Sequence, residues 1–430
     1  MPDRDTTVHG RRPGNQVLTL VAGLLLGGTI IAILVLAYTP PVSRDALTHH
    51  LAVPKLYLEK GGIHELPECI YSYYPMNLDL LYLIPLALGN DIIPKYIHFS
   101  FALLTAGWLF YYLRREISAQ AGLLGVLLFL SLPIIIKLSI TVYVDLGLIF
   151  FSPAALLSCL QWKQSGYRRR NLVFAAAFCG LALGTKYNGL ITFFLLALLV
   201  LYIYARDHQQ VRGYHAQALM QVALFIGVAL LIFSPWCIKN FVWTGNPIYP
   251  LYNSVFQEKP ATLSDVNEGD QSGAVSLPLD HFSLRRHGYG DSALEIALVP
   301  VRIFFQGRDD NPKYFDGVLN PYLFLLPLCW LILSGREAFQ ERSASFYLAV
   351  FAGLYLLLVF FLKDMRIRYI APIIPPLVIL SVFGFYDVLR FLQKRLRGTG
   401  LLAAKTGCVL LLGMLLALNY NYVFKQFRRA

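Results

Sequence analysis

Long apolar runs separated by short charged turns make up most of this chain. Apolar stretches cover 17–38, 92–113, 119–136, 146–162, 217–237, 318–334, 344–362, 369–389 and 401–419. Two shorter runs lie between Arg170 and Arg206, on either side of Gly184-Thr185-Lys186-Tyr187-Asn188-Gly189, whose glycines suit a tight reversal. A run of about 20 apolar residues spans a bilayer as a helix, because the helix satisfies its own backbone polar groups. The pattern predicts an all-α polytopic membrane protein with about eleven transmembrane helices. The run 76–88 is too short to span and contains Pro85, so it is expected to lie on or dip into the interface. The strand-length alternation of a membrane barrel is absent.

Basic turns give the sidedness, since Lys- and Arg-rich short loops stay in the cytoplasm. Arg114-Arg115, Lys163 with Arg168-Arg169-Arg170, Arg206 with Arg212, Arg336 with Arg342, and Arg390 with Lys394, Arg395 and Arg397 are the inside turns. Pairs of spans separate them. The run 17–38 is too long for a signal-peptide core and is read as a retained first span. Residues 1–430 form a single transmembrane domain with a first external loop, 40–91, and a long external loop, 240–316. The second loop opens on Gly245-Asn246-Pro247-Ile248-Tyr249-Pro250, is polar over 257–291 as a mobile loop would be, and carries a short amphipathic interfacial helix at 293–305.

Composition agrees with the pattern: 57% of residues are hydrophobic and 14% charged, against about 25% charged in soluble domains. The net charge of +12 is scattered between apolar runs, which fits juxtamembrane anchoring and argues against a nucleic-acid partner. The six cysteines form no CxxC pair; only Cys69 and Cys237 lie where an external disulfide is feasible.

The outward turns hold the candidate chemistry. Ser43-Arg44-Asp45-Ala46-Leu47-Thr48-His49-His50 follows the first span directly. By local rules Asp45 suits first an N-cap of a short helix over 46–52 that Pro54 ends or kinks, and a catalytic carboxylate is compatible with that cap. His49 stands four residues on, on the same helical face. The histidine pair and Asp79 are candidates for a metal or for the acceptor. Tyr71, Tyr73 and Tyr74 suit an interfacial aromatic belt. Lys137, Tyr143 and Asp145 share one outer turn, Lys186 holds another, and Lys363, Arg366 and Arg368 hold a third. Lys137 and Lys363 suit snorkelling at span ends, whereas Lys186 sits among glycines. These parts fit transfer of a sugar from a lipid phosphate: one carboxylate takes a proton from an acceptor hydroxyl, and cations hold the phosphate as its charge develops.

The order of these residues resembles the GT-C superfamily of polyprenyl-phosphate-sugar-dependent glycosyltransferases, especially the bacterial aminoarabinose-transferase and protein O-mannosyltransferase-like branch. Asp45 after the first span, Tyr73-Tyr74-Pro75 before the 76–88 helix, Asp145 at the head of a span and Gly184-Thr185-Lys186-Tyr187 carry the likeness. So does the segment Lys363 through Arg368 followed by Tyr369-Ile370-Ala371-Pro372-Ile373-Ile374-Pro375-Pro376. The resemblance implies an integral protein of a bacterial inner membrane, with an active site on the external face and inverting transfer. It implies Asp45 and Asp145 as catalytic carboxylates, with Lys186, Arg366, Arg368 and Tyr369 at the donor phosphate. Asp79, His49 and His50 remain candidates for acceptor or metal contacts, since many members are linked to a divalent metal ion. Its partners are a polyprenyl-phosphate-linked sugar, an acceptor glycan, lipid or protein, and membrane lipids. Ala46 stands where many relatives carry a Glu after the Asp, and the family's usual C-terminal region has no counterpart here. Acceptor recognition is therefore expected from 240–316 or from a partner. A transporter or lipid flippase is the rival reading; it predicts inverted halves with charges near midplane.

Overall fold

The computed structural model describes residues 13–256 and 281–428, so most of the polar stretch 257–291 lies outside the described residues. These are helical, with no strand among them. In chain order, α1 is Pro13–Ala37, α2 Ala52–Glu59, α3 Asn77–Ala87, α4 Ile93–Glu116, α5 Ala119–Leu130 and α6 Pro133–Ser139. Next come α7 Asp145–Gln164, α8 Arg169–Thr185, α9 Gly189–Asp207 and α10 Tyr214–Thr244. The second half holds α11 Ala293–Ala297, α12 Val299–Arg302, α13 Tyr322–Leu333, α14 Ala344–Leu362, α15 Ile374–Arg395 and α16 Gly398–Phe427.

Eight helices among the described residues are long and apolar enough to span, or nine if the bent pair α5–α6 counts as one. The other two runs expected to span, now α8 and α13, measure 17 and 12 residues. α8 nevertheless runs back along α7: it starts beside the end of α7 and returns Lys186 to Asp145.

The run 119–136 is not one straight helix. It bends by 67° between α5 and α6, because Pro133 lacks an N–H and pushes Leu132 into an extended conformation. The break frees backbone groups, and neighbours take them up. Tyr322 donates to the Leu128 carbonyl at 2.6 Å, and the Ile134 N–H donates to Val318 O at 3.1 Å. Asn419 of α16 joins the same patch by donating to Ser131 Oγ at 3.1 Å. Helix breaks survive at membrane depth only where partners of this kind exist.

α7 is the central helix, with 89% of its apolar window buried, whereas α16 at the periphery has 11%. Small residues let the spans approach closely. A Cβ on Gly180 would stand 2.6 Å from Ala229 O, and one on Gly384 would stand 1.9 Å from Leu326 O.

Several expected boundaries move. Residues 46–50 form a π-helical turn rather than a helix to 52, and Pro54 lies in the first turn of α2 instead of ending a helix. The segment 293–305 is two short helices, α11 and α12. The last helix begins before 401 and runs on to Phe427, past the expected end at 419. Cys69 and Cys237 are free thiols.

The basic turns gather at one end of the bundle. Lys163 Nζ lies 2.6 Å from Asp207 Oδ2, Arg342 reaches Tyr202, and a crevice there joins Glu116, Glu337 and Arg390. The turns carrying Asp45, Asp145, Lys186 and Arg368 gather at the other end. The two sets of turns read from the sequence therefore lie at opposite ends of the bundle.

Gly384→Ala is expected to lower thermal stability by roughly 1–3 kcal/mol, since backbone rather than a flexible side chain fills the space. A melting temperature equal to wild type in the same detergent would show that α13 and α15 do not pack through Gly384.

Candidate functional site

Asp45 begins the π-helical turn at the exit of α1 but makes no capping hydrogen bond. Its carboxylate instead accepts a hydrogen bond from Arg368 Nη1 in an ion pair. Arg368 comes from the far end of the chain, in the turn between α14 and α15. That turn is pinned by the Ile367 N–H, which donates to Phe315 O at 2.8 Å. The 240–316 loop thus fixes the segment that holds Arg366, Arg368 and Tyr369.

Lys186 follows α8 in an extended conformation, and Gly189 lets the chain reverse, because a Cβ there would stand 2.6 Å from Ala182 O. Lys186 Nζ donates to Asp145 Oδ1 at 2.8 Å. Asp145 is the first residue of α7 and is 1% exposed. A carboxylate at a helix start interacts favourably with the helix dipole, and the lysine neutralises it in a dry setting.

The Tyr369 ring has four cations around it. Lys186, Lys363 and Arg368 lie 5.7, 5.6 and 5.6 Å from its centroid, and Arg366 lies 6.0 Å away. The negative ring face partly offsets the repulsion among them. Of the four, Arg366 is the least committed: its closest carboxylate, Asp364, is 3.9 Å away. Lys363 donates to Asn188 Oδ1 at 3.1 Å, and burial together with the Lys186 charge lowers its pKa. It is therefore packed inward rather than snorkelling. Lys137 does not snorkel either, since Asp309, Asp310 and Asp316 surround it at 3.2–3.4 Å.

Two cavities meet at the Asp45–Arg368 pair. One, of about 490 Å³, is lined by His49, Tyr71, Tyr74, Lys186 and Tyr369 among others. The other, of about 680 Å³, is lined by Lys137, Tyr143, Asp309, Asp316 and Tyr422 among others. Arg44, Asp45, Arg366 and Arg368 face both. Tyr71 and Tyr74 therefore line the site rather than form only a belt.

His49 stacks on Tyr71 with ring centroids 4.3 Å apart, and its pKa is pushed down to about 3 by burial and by His50. His50 Nδ1 lies 2.7 Å from Asp79 Oδ1, and Asp79 is 2% exposed. Burial pushes the Asp45 carboxyl up, but the Arg368 charge and hydrogen bond, with His49 and His50, outweigh it and hold it below the ordinary value. Each of the three expected carboxylates faces its own partner: Asp45 with Arg368, Asp79 with His50, Asp145 with Lys186. Among the described residues, no group of three His, Cys, Asp or Glu side chains converges in a way that could hold a metal ion.

Residues 81–244 match the family described as dolichyl-phosphate-mannose-protein mannosyltransferase. No curated protein sequence matches the chain. Among solved structures, ArnT from Cupriavidus metallidurans in the apo state superposes with a TM-score of 0.57 at 18% identity, covering 88% of this chain and 62% of that one. The same protein bound to undecaprenyl phosphate gives 0.53 at 17% identity, with 88% and 61% covered. The archaeal oligosaccharyltransferase AglB from Archaeoglobus fulgidus, in complex with an inhibitory peptide and a dolichol-phosphate, gives 0.56 at 14% identity, with 95% and 56% covered. The chain has the GT-C fold. It spans about three fifths of the length of these relatives.

Within this GT-C fold, every residue singled out from the sequence falls at the same end of the bundle. Asp45, Asp79, Lys186, Arg366, Arg368, Tyr369, His49 and His50 line one cavity, and Asp145 stands behind Lys186. Reading the sequence did not single out His98, Tyr143 as a cavity wall, or the buried Arg285. Arg285 Nη1 donates to Asp291 Oδ2 at 2.9 Å, and Nη2 lies 3.7 Å from Asp364. His98 had a visible signal: an ionisable residue inside an apolar run. Arg285 had none: it is one charge among many in the polar stretch 257–291, and only its second partner, Asp364, lies far away in sequence.

Single cysteines at Thr48 and at Gln209, in a background without native cysteines, are expected to label with a membrane-impermeant thiol reagent from opposite sides of sealed vesicles. Labelling of both from one side would overturn the two-ended arrangement.

Proposed function

We propose that this chain is a membrane glycosyltransferase that moves a sugar from a polyprenyl phosphate to an acceptor hydroxyl. The observation that carries the reading is the meeting of one ionised carboxylate, Asp45, with Lys186, Arg366 and Arg368 around a single cavity. The GT-C fold supports it, and so do structural relatives solved with undecaprenyl phosphate and with a dolichol-phosphate bound. The clustered basic turns at the opposite end support a cavity on the external face, by the positive-inside rule.

The chemistry follows from the parts. The acceptor hydroxyl approaches Asp45, which takes its proton as the new C–O bond forms at the anomeric carbon. The bond from that carbon to the phosphate oxygen breaks, and the phosphate leaves with the electron pair. Attack from the side opposite the leaving group inverts the carbon. Arg366 is the cation freest to take the phosphate, while Lys186 and Arg368 add charge from fixed positions. Asp145 holds Lys186 in place. Arg368 keeps Asp45 ionised and releases it, in part, when the phosphate competes for the guanidinium. The aromatic wall of Tyr71 and Tyr74 offers apolar faces to a sugar ring. A transporter fits less well, because the charges stand at helix ends rather than mid-span.

Asp45→Asn is expected to lower kcat by at least about 100-fold, while binding of polyprenyl phosphate changes little. Turnover with a panel of polyprenyl-phosphate sugars and acceptors measures this. Transfer at the wild-type rate would remove Asp45 from the mechanism.

The pH profile gives a separate check. Asp45 works as a base when deprotonated, and its pKa is lowered, so the acid limb of kcat/KM lies below the ordinary carboxylate range. Any stability from the pair is likewise present above the unfolded carboxylate pKa and lost as pH falls through the lower folded one. Arg368→Gln removes the largest lowering influence and leaves burial opposed only by His49 and His50, so the limb moves to higher pH. An unmoved limb in that variant would show that Arg368 does not set the ionisation of Asp45.

A further inference from the structure

The start of α7 depends on a side chain from α4. His98 is 0% exposed. Its Nε2 accepts the backbone N–H of Leu146 at 2.9 Å. Its Nδ1 faces Leu138 O at 2.9 Å and Thr141 O at 3.1 Å. The ring must accept on one side and donate on the other, so it is neutral with the proton on Nδ1. An imidazolium would set two N–H donors against each other at Leu146.

Leu146 is the second residue of α7, and its N–H is one of those that a helix start leaves without an intrahelical partner. In an apolar setting no water is at hand to take it, and an unmet group there is costly. Leu138 and Thr141 belong to the end of α6 and the turn after it. One imidazole therefore ties the close of α6 to the opening of α7. The turn between them carries Tyr143, whose ring lies 5.7 Å from the Arg368 guanidinium, and Asp145, which holds Lys186. Tyr82 of α3 adds a second tie, donating to Tyr143 O at 2.5 Å.

We propose that His98 is a positioning residue of the site. It holds the 138–146 turn in the register that sets Asp145 against Lys186 and Tyr143 against Arg368. The inference rests on the functional reading above for the purpose of that register, but the clamp itself is independent of it. A buried histidine that merely fills the core would satisfy any convenient carbonyl. This one satisfies groups on both sides of the turn that carries site residues.

The test compares His98→Leu with His98→Gln, which keeps an acceptor for the Leu146 N–H, in the full chain in lipid nanodiscs. Amide exchange over 142–147 is expected to rise on the order of 10-fold or more in His98→Leu, with the rest of α4 and α7 unchanged and with His98→Gln close to wild type. Binding of polyprenyl phosphate is expected to weaken on the order of 10-fold in His98→Leu. In the Asp145→Asn background the same change should add little, because both substitutions release Lys186. Unchanged exchange, exchange loosened throughout the bundle, or fully additive losses would each overturn the proposal. A wild-type chain that does not bind polyprenyl phosphate would sink the functional reading, and the exchange pattern would still decide whether His98 holds the turn.

Discussion

The pair between Asp45 and Arg368 joins the loop after α1 to the turn between α14 and α15, and the two cavities meet at it. Separating such a pair in a part-buried place leaves charges without compensation, which costs far more than the intact pair contributes. The chain therefore holds both partners from outside the pair. Phe315 O fixes the segment bearing Arg368, and the π-helical turn after Asp45 is tied to α3 through His50 and Asp79. The same rule governs Lys186 with Asp145 and Lys137 with its three aspartates: each cation near the apolar region has carboxylates or a carbonyl within reach. Arg366 departs from it, with its nearest carboxylate at 3.9 Å, and so has the most to gain from an incoming anion.

Much of the fold could be read from the sequence, because a bilayer leaves few alternatives. Runs such as 344–362 and 146–162 had to be helices, and the basic turns told which ends belong together. The convergence of Asp45, Lys186 and Arg368 followed from that counting. What could not be read depends on contacts between distant residues. The α5–α6 bend was signalled by Pro133, but its survival needs Tyr322 and Val318, nearly two hundred residues away. Asp45 looked like a helix cap by local rules, and the distant Arg368 took the carboxylate instead. Lys137 and Lys363 looked like snorkelling residues for the same reason: three aspartates and Asn188 are invisible to a local window.

The unequal burial of the spans bears on how the site stays in place. α7 is almost enclosed, and it carries Asp145 at its first residue and Gly147 two residues on, where a Cβ would strike Leu78 of α3 at 2.5 Å. The short helix α3 is thereby pressed onto the same helix end that holds Lys186. Trp236 and Asn240 of α10 complete the fit: the indole donates to Asn77 Oδ1 at 2.8 Å and the amide to Tyr73 O at 2.8 Å. The first loop is fastened from beneath by α7 and from the side by α10. α1 and α16, at the lipid edge, contribute little to that frame.

Preorganisation on this scale has a chemical consequence. A developing phosphate charge is stabilised most by donors that do not need to move. Lys186, Arg368 and Tyr369 are each fixed by a separate contact, to Asp145, to Asp45 and to the surrounding cations. A binding site for an uncharged solute would have no use for so much fixed charge, and a pathway through the bundle would need its charges deeper than the helix ends. The arrangement suits a reaction whose charge appears at one point, with Asp45 and the cations already gathered around a single cavity.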